Sequence, residues 1–539
     1  HDLVIQKRGG GIKKIHDMNP KGMPLHFVLL FPYGTHGWDS TEKHLDGRRR
    51  VTAREYYVFH LNVRNGANQN LLHMAGRLFQ EWLCMAWFLV ESQRLNWQRQ
   101  NQKALRADSY KNVQQAVEER MRELAPRADG MYPDDHQRAS IGRQVLSSSF
   151  SMSPRFMNAR FQDAMAIVRE NHKPDYFITM TTNPNWPEIK SQLLEGQEPQ
   201  DRPNVVARVF HLKMEQLMQD LTTGGLFGKS VAHMRVTEWQ KRGLPYAHIL
   251  LILEDQDRTA TAELVDSLVM AELPPDPNTA NTEEGKIQLK NLEEIVRSNM
   301  IHGPCGAVNP QSPCMENGSC TKKYPKPFQA STIVDPDSFY ATYRRRSPDQ
   351  GGRTIQKGGK TIDNSMVIPY NPYLSLRYDC HINVECCTSV KGAKYVFKYV
   401  TKGNDRVRVN VRVEGEAIDE ISDYEDLRHV GSSEAVWHLM GFELTKRYPA
   451  VYALRIHLEE QHQVVFDPMT EVEALERCRE TELTAFYKYN QSIPEDERPN
   501  QPKYVDMPKT HVYDQKQKLW RKRKQKKKKR GIIQIMCEE

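Results

Sequence analysis

The spacing of apolar residues changes near Pro174 in this chain. Between Leu71 and Leu95, residues Leu72, Met74, Leu78, Phe79, Trp82, Leu83, Trp87 and Leu89 recur near helical spacing, which predicts a mostly helical first segment. From Pro174 the period is that of strands. Tyr176–Thr181 is rich in β-formers and runs into Asn183-Pro184-Asn185-Trp186-Pro187, a turn signal. Val205–Leu221 reads as an amphipathic helix. Ala232–Trp239 and Tyr246–Leu253 read as strands joined through the short Gly/Pro loop Gln240–Pro245, a hairpin. Glu254–Asn299 starts as an acidic, proline-containing linker and ends as a helix. After a cysteine-rich loop, the strand His381–Glu385 precedes a helix from about Thr388 to Thr401, stopped by Gly403.

The pattern predicts an α+β chain. Residues 1–165 form a mostly helical domain, and 166–405 a central antiparallel β-sheet flanked by helices, with a cysteine-rich insertion at 300–325. Residues 406–510 form a mixed accessory region, and 511–539 a basic tail. No internal repeat is visible.

Composition narrows the function classes. With 539 residues, 27% charged and 39% hydrophobic, the chain is a globular protein able to bury large cores. No apolar stretch approaches the roughly 18 residues of a membrane span. The chain begins at His1 without a signal peptide and is expected to be cut from a longer one. Its net charge of +8 is concentrated near the end, where Arg521 to Arg530 are all Lys or Arg except Gln525. Such a run is a solvated tail, a nuclear-import signal or a DNA tether. Nine cysteines without a secretory signal point to reduced thiols or a metal site.

Candidate chemistry gathers at three places. In Lys394-Tyr395-Val396-Phe397-Lys398-Tyr399-Val400, two tyrosines four apart project from one helix face, ringed by Lys391, Lys394, Lys398 and Lys402. A cationic field attracts phosphate and favours the phenoxide form of a nearby phenol, which is a competent nucleophile towards a phosphodiester. The plain alternative is a pair of tyrosines at a core edge. On the hairpin, His248 and Tyr246 share one strand face, and Glu238 and Gln240 can point towards them, a plausible seat for Mg²⁺ or Mn²⁺. A structural histidine is the alternative there. His302, Cys305, Cys314 and Cys320 offer zinc-type ligands, with Cys380 or His381 able to complete the set instead of His302. Lys322, Lys323, Lys326 and Arg344-Arg345-Arg346 suit a DNA backbone path, and His381 and Glu385 share a strand face as further metal candidates. Gly224–Ser230 is one residue short of a P-loop and is expected to be a turn.

Glu238-Trp239-Gln240-Lys241-Arg242-Gly243-Leu244-Pro245-Tyr246-Ala247-His248 resembles the metal motif of Helitron rolling-circle transposases, members of the HUH nucleases, in which two histidines flank one residue. Tyr395 to Gly403 resembles the two-tyrosine helix of that family. Further likeness lies in Leu25–Gly37, Ser148–Arg155, Asp163–Met165, Thr179–Pro187, His302–Gly306 and Pro369–Glu385, so it runs from about residue 20 to 525. The resemblance implies an HUH/Rep-type nuclease that binds single-stranded DNA at transposon ends. It would nick and join that strand through a 5′-phosphotyrosine, with Tyr395 and Tyr399 as nucleophiles, Lys398 beside them, and Lys241, Arg242, Lys391, Lys394 and Lys402 on the DNA. It also implies a nuclear location and a helicase, which family members carry after this region and which this chain is expected to lack.

Three positions depart from the family pattern. Tyr246 stands where the first metal-binding histidine is expected, and a neutral phenol is a poor ligand for a hard divalent ion. Met152 and Thr182 replace an expected glycine and cysteine. A weakened metal site follows, and a catalytically silent DNA-binding protein is the alternative function. A zinc-organised interaction protein is a third.

Overall fold

The computed structural model describes residues 3–16, 18–62, 71–102, 107–109, 146–240, 243–258, 261–306, 309–338, 340–388, 420–426, 429–459, 463–465, 480–495, 498, 501–523 and 531–537. The chain is mixed α+β and divides into two compact units, each assembled from separated stretches. One comprises His1–Glu91, Asn171–Val400 and Val430–Tyr448, the other Ser92–Glu170, Thr401–His429 and Pro449–Glu539.

The first unit is organised by a five-stranded antiparallel sheet. Its strands are β1 (Tyr176–Thr181), β2 (Ser230–Trp239), β3 (Pro245–Leu253), β4 (Ile382–Cys386) and β5 (Thr445–Tyr448), in the spatial order β4-β1-β3-β2-β5. Alternation decides what each face carries. Arg235, Thr237, Ala247 and Ile249 are buried on one face, and Arg235 Nη1 reaches Glu215 Oε1 at 2.5 Å on the helix Pro203–Thr222. That helix turns Val206, Phe210, Met214, Leu217 and Leu221 inward at helical spacing, and all five are buried. The second face carries Phe177, Thr179, Thr181, Glu238, Tyr246, His248, Asn383 and Glu385, a markedly more polar set. Leu250 and Ile252 continue it in fully buried form, so β3 is apolar on both sides at one end and polar on one side at the other.

Turns place β4 against β1. Asn371 caps the helix Pro372–Tyr378 through Leu374 N–H, with Pro372 at its first position. Asp379 ends the helix in the left-handed region, and its carbonyl accepts from Asn183 Nδ2 at 2.7 Å and Trp186 Nε1 at 3.0 Å. The turn after β1 therefore grips the segment leading into β4. Gly224–Ser230 is the turn expected, closed by the Gly228 N–H on the Gly225 carbonyl. The helical stretch expected over 71–95 is interrupted at Ala75-Gly76, giving Leu71–Met74 and Arg77–Gln100.

In the second unit, Leu95, Leu146, Phe150, Ile421 and Tyr424 form one apolar cluster, flanked by ion pairs from Arg99 to Glu425 and Arg155 to Glu420. Leu454, Leu483, Phe486, Met507 and Trp520 form another. Strands flank the basic run. His511–Asp514 and Leu519–Lys522 make a hairpin with Trp520 buried, and Gly531–Cys537 pairs in parallel with Ala450–Ile456. The apolar Ile532, Ile533 and Ile535 explain that pairing, since they favour a strand. Lys524 to Arg530 lie outside the described residues.

Candidate functional site

His248 sits in the middle of the sheet on β3. Its Nδ1 is 2.9 Å from Thr179 Oγ1 on β1, the residue paired with it across the strands. The Phe177 ring stacks on the imidazole at 5.1 Å, and Tyr246 meets it edge-on at 5.3 Å. These contacts fix the ring orientation, as supporting side chains do for a metal-binding histidine. The Tyr246 hydroxyl, however, donates to Glu238 Oε2 at 2.5 Å from the directly opposed position on β2. The phenol hydroxyl is thus committed to the carboxylate. Gln240 lies exposed in the hairpin loop, its N–H on the Leu244 carbonyl. Among the described residues no group of three His, Cys, Asp or Glu ligands gathers at His248. A phenol thus stands where a second imidazole was expected, and it already holds the Glu238 carboxylate.

Tyr395, Tyr399 and Lys398, with Lys391, Lys394 and Lys402, lie outside the described residues, as do Lys241 and Arg242.

The cysteine-rich loop does assemble. Ligand atoms of His302, Cys305, Cys314 and Cys320 all lie within 4.8 Å of one another, with His302 Nε2 3.4 Å from Cys320 Sγ. Thiolates about 2.3 Å from a tetrahedral zinc stand about 3.8 Å apart, so this group can hold a metal such as zinc. A tight hairpin builds the site. Met315-Glu316 pairs with Ser319-Cys320 across Asn317-Gly318, whose φ values of 49° and 76° are both left-handed. That is the two-residue turn Asn-Gly favours, and it brings Cys314 beside Cys320. The Asn-Gly pair was the legible signal for this turn, and strand-period reasoning passes over it because each strand has only two residues.

Thiol chemistry is graded across the group. Burial pushes the Cys305 thiol up to about 12, reinforced by Cys314 and Cys320. At Cys320 burial also pushes up, but backbone N–H groups of Tyr324 and Lys322 outweigh it and the value falls below the usual thiol range. Burial holds His302 below the ordinary imidazole value, helped by Lys326 and Lys322, so it stays neutral and able to ligate. Cys380 is fully buried and stands outside the cluster, and His381 lies on the sheet face beside Thr181. His302, not either of them, completes the set.

Between this loop and the polar sheet face lies a cavity of about 630 Å³. β4 contributes His381, Asn383 and Glu385, β1 contributes Phe177 and Thr179, and the loop contributes His302, Lys322, Tyr324 and Lys326. Glu385 accepts from the Tyr343 hydroxyl at 2.9 Å and from Asn383 Nδ2 at 3.4 Å. Burial holds its carboxyl above the usual glutamate range, against those hydrogen bonds and the charges of Arg345 and Lys326. The arginines expected along a DNA path are otherwise engaged. Arg345 is buried and donates to the carbonyls of Ala271, Asn364 and Val367, Arg346 grips Glu272, and Arg344 pairs with Asp266 and Glu272.

Fold and site together define an α+β protein with a Cys/His cluster able to hold a metal. Residues 56–251 match the family model of the Helitron helicase-like domain at the N-terminus, so over that stretch the chain is similar to Helitron-related, transposase-like proteins. No curated protein matches it. Among the described residues no helix is long and apolar enough to cross a membrane.

Proposed function

We propose that this chain acts on single-stranded DNA as a Helitron-type strand transferase. The phenoxide of Tyr395 or Tyr399 attacks a backbone phosphorus, the bond to the 3′ oxygen breaks, and that oxygen leaves as a hydroxyl after taking up a proton. The 5′ phosphate remains on tyrosine until a second 3′ hydroxyl attacks it and releases the tyrosine, which rejoins the strand. Lys398 and its neighbouring lysines would steady the phosphates. A Mg²⁺ or Mn²⁺ ion held by His248 with Glu238 or Gln240 belongs to this reading in weakened form. Transposon ends as substrate, a helicase acting alongside and a nuclear location belong to it too.

The observation that carries the reading is the family match, which spans β1, β2 and nearly all of β3, with His248 on the polar sheet face. Incubating a labelled oligonucleotide with the protein and Mn²⁺ should give a covalent adduct on a denaturing gel, lost in Tyr395→Phe or Tyr399→Phe. An adduct that survives in the double variant rules the tyrosine mechanism out.

A second reading, a silent single-strand binder derived from such a transposase, is favoured by the Tyr246–Glu238 hydrogen bond, which engages the carboxylate that a cation would need. Tyr246→His separates the two readings. A gain of roughly 10²-fold or more in nicking, in the range of one well-placed catalytic group, marks an impaired nuclease. No gain together with retained binding marks a binder.

A further inference from the structure

The cavity beside the Cys/His loop is lined by hydrogen-bond acceptors, lysines and aromatic rings. Glu385 lines it, with one hydrogen bond on each carboxylate oxygen and lone pairs to spare, and Asn383 two residues earlier on the same strand has a buried side-chain oxygen with no hydrogen-bond partner among the described residues. These acceptors stand on one wall. Lys326 lines the same cavity, near enough for its charge to act on Glu385, and Lys322 lies exposed at the loop. Phe177, Tyr324 and Tyr340 supply aromatic surface around a space of about 630 Å³, inside the roughly 300–1,000 Å³ of small-ligand sites.

We propose that this cavity receives a single extruded guanine nucleotide, with Glu385 and Asn383 reading its Watson–Crick edge. Guanine alone among the DNA bases offers two adjacent donors there, N1–H and the N2 amino group, with the O6 acceptor beside them. A carboxylate takes both donors as charge-assisted hydrogen bonds, and a lysine ammonium suits O6. Adenine and cytosine each turn a ring-nitrogen acceptor towards the carboxylate, and thymine flanks its one donor with two carbonyls. The phosphate falls to Lys322 at the exposed rim. His302 belongs both to the cavity wall and to the Cys/His cluster, and Lys322, Tyr324 and Lys326 follow directly after Cys320. A metal in that cluster would therefore order the wall that carries the lysines.

The source of the nucleotide, a DNA strand, rests on the function proposed above, whereas the pocket chemistry does not. The test uses the full chain with dGMP, dIMP and dAMP, read by calorimetry. Inosine lacks only the N2 amino group, so the native protein alone can answer. dGMP is expected to bind about ten- to a hundredfold more tightly than dIMP or dAMP, the discrimination of one bidentate contact. Glu385→Gln should abolish the preference, with an unchanged circular dichroism spectrum as the folding control, and Lys322→Ala should weaken all three nucleotides alike. Equal affinities, or a preference for dAMP, overturn the inference. Binding of a deoxythymidine 20-mer is measured in parallel. If the 20-mer binds and dGMP shows no preference, the pocket assignment fails alone. If dGMP is preferred and no oligonucleotide binds, the DNA reading fails instead.

Discussion

Arg235 shows how a single residue can commit a sheet face. Its side chain is wholly buried, and Glu215 is its partner at 2.5 Å, with Lys446 on the same carboxylate at 2.9 Å. Removing one partner of a buried pair leaves an uncompensated charge. Glu215→Ala is therefore expected to cost about 3 kcal/mol, read as a shifted midpoint in urea unfolding with the slope unchanged. Glu385 behaves differently, since burial raises its carboxyl above the ordinary range while Tyr343, Asn383, Arg345 and Lys326 pull it back. Any guanine preference should therefore fade as pH falls into that raised range, because a protonated carboxyl no longer accepts at both oxygens. Titrating dGMP affinity from neutral pH downwards checks the sign. Two departures from the family pattern also find their physical meaning at this scale. Met152 holds φ at 68°, the left-handed conformation that a glycine would adopt without strain, and the Thr182 hydroxyl donates to the Pro245 carbonyl at 2.5 Å. The sequence revealed both substitutions but not what each side chain does instead.

Elements defined by long-period patterning were legible. β1, β2, β3 and the helix Pro203–Thr222 fall where β-rich runs bounded by turn signals and helical spacing put them, because the strands are short apolar runs and the helix buries one face. The metal hairpin was legible in its ligands but not in its shape, since strands of two residues have no measurable period. Its turn is open to test. Gly318→Val forces a β-branched residue to φ near 76° and should loosen zinc binding, as should Cys314→Ser. Cys380→Ser should leave the zinc content unchanged, since that thiol stands apart from the cluster. Zinc measured by plasma emission on the purified variants decides the point. Equal loss in all three would mean that the cluster is not the site. The partners of the arginine run 344–346 were not legible either, since charge in the sequence does not reveal that Asp266, Glu272 and three backbone carbonyls meet it in the fold.

At the scale of the whole molecule, the two units interleave stretches that are distant in the chain, which composition shifts do not register. The polar sheet face, the metal loop and the cavity all belong to the first unit, so metal content and base preference should fail together on chelation, while the Arg235–Glu215 side of the sheet stays folded. Chelator titration followed by dGMP calorimetry and far-ultraviolet circular dichroism separates the two. The net charge of +8 carries its own expectation. Affinity for a single strand should fall linearly with the logarithm of salt concentration, at roughly 0.7 per neutralised phosphate. A flat response in fluorescence anisotropy would exclude a phosphate-tracking surface.

The hairpin between β2 and β3 closes at Gln240–Leu244, beyond the last paired residues, Trp239 and Pro245. Lengthening it moves no partner out of register, whereas one residue inserted inside β3 would turn His248 towards the helix. That loop is a permissive port in the architecture. Extra residues could be threaded there, by a gene or by an engineer, to change what the protein grips while the imidazole keeps its seat.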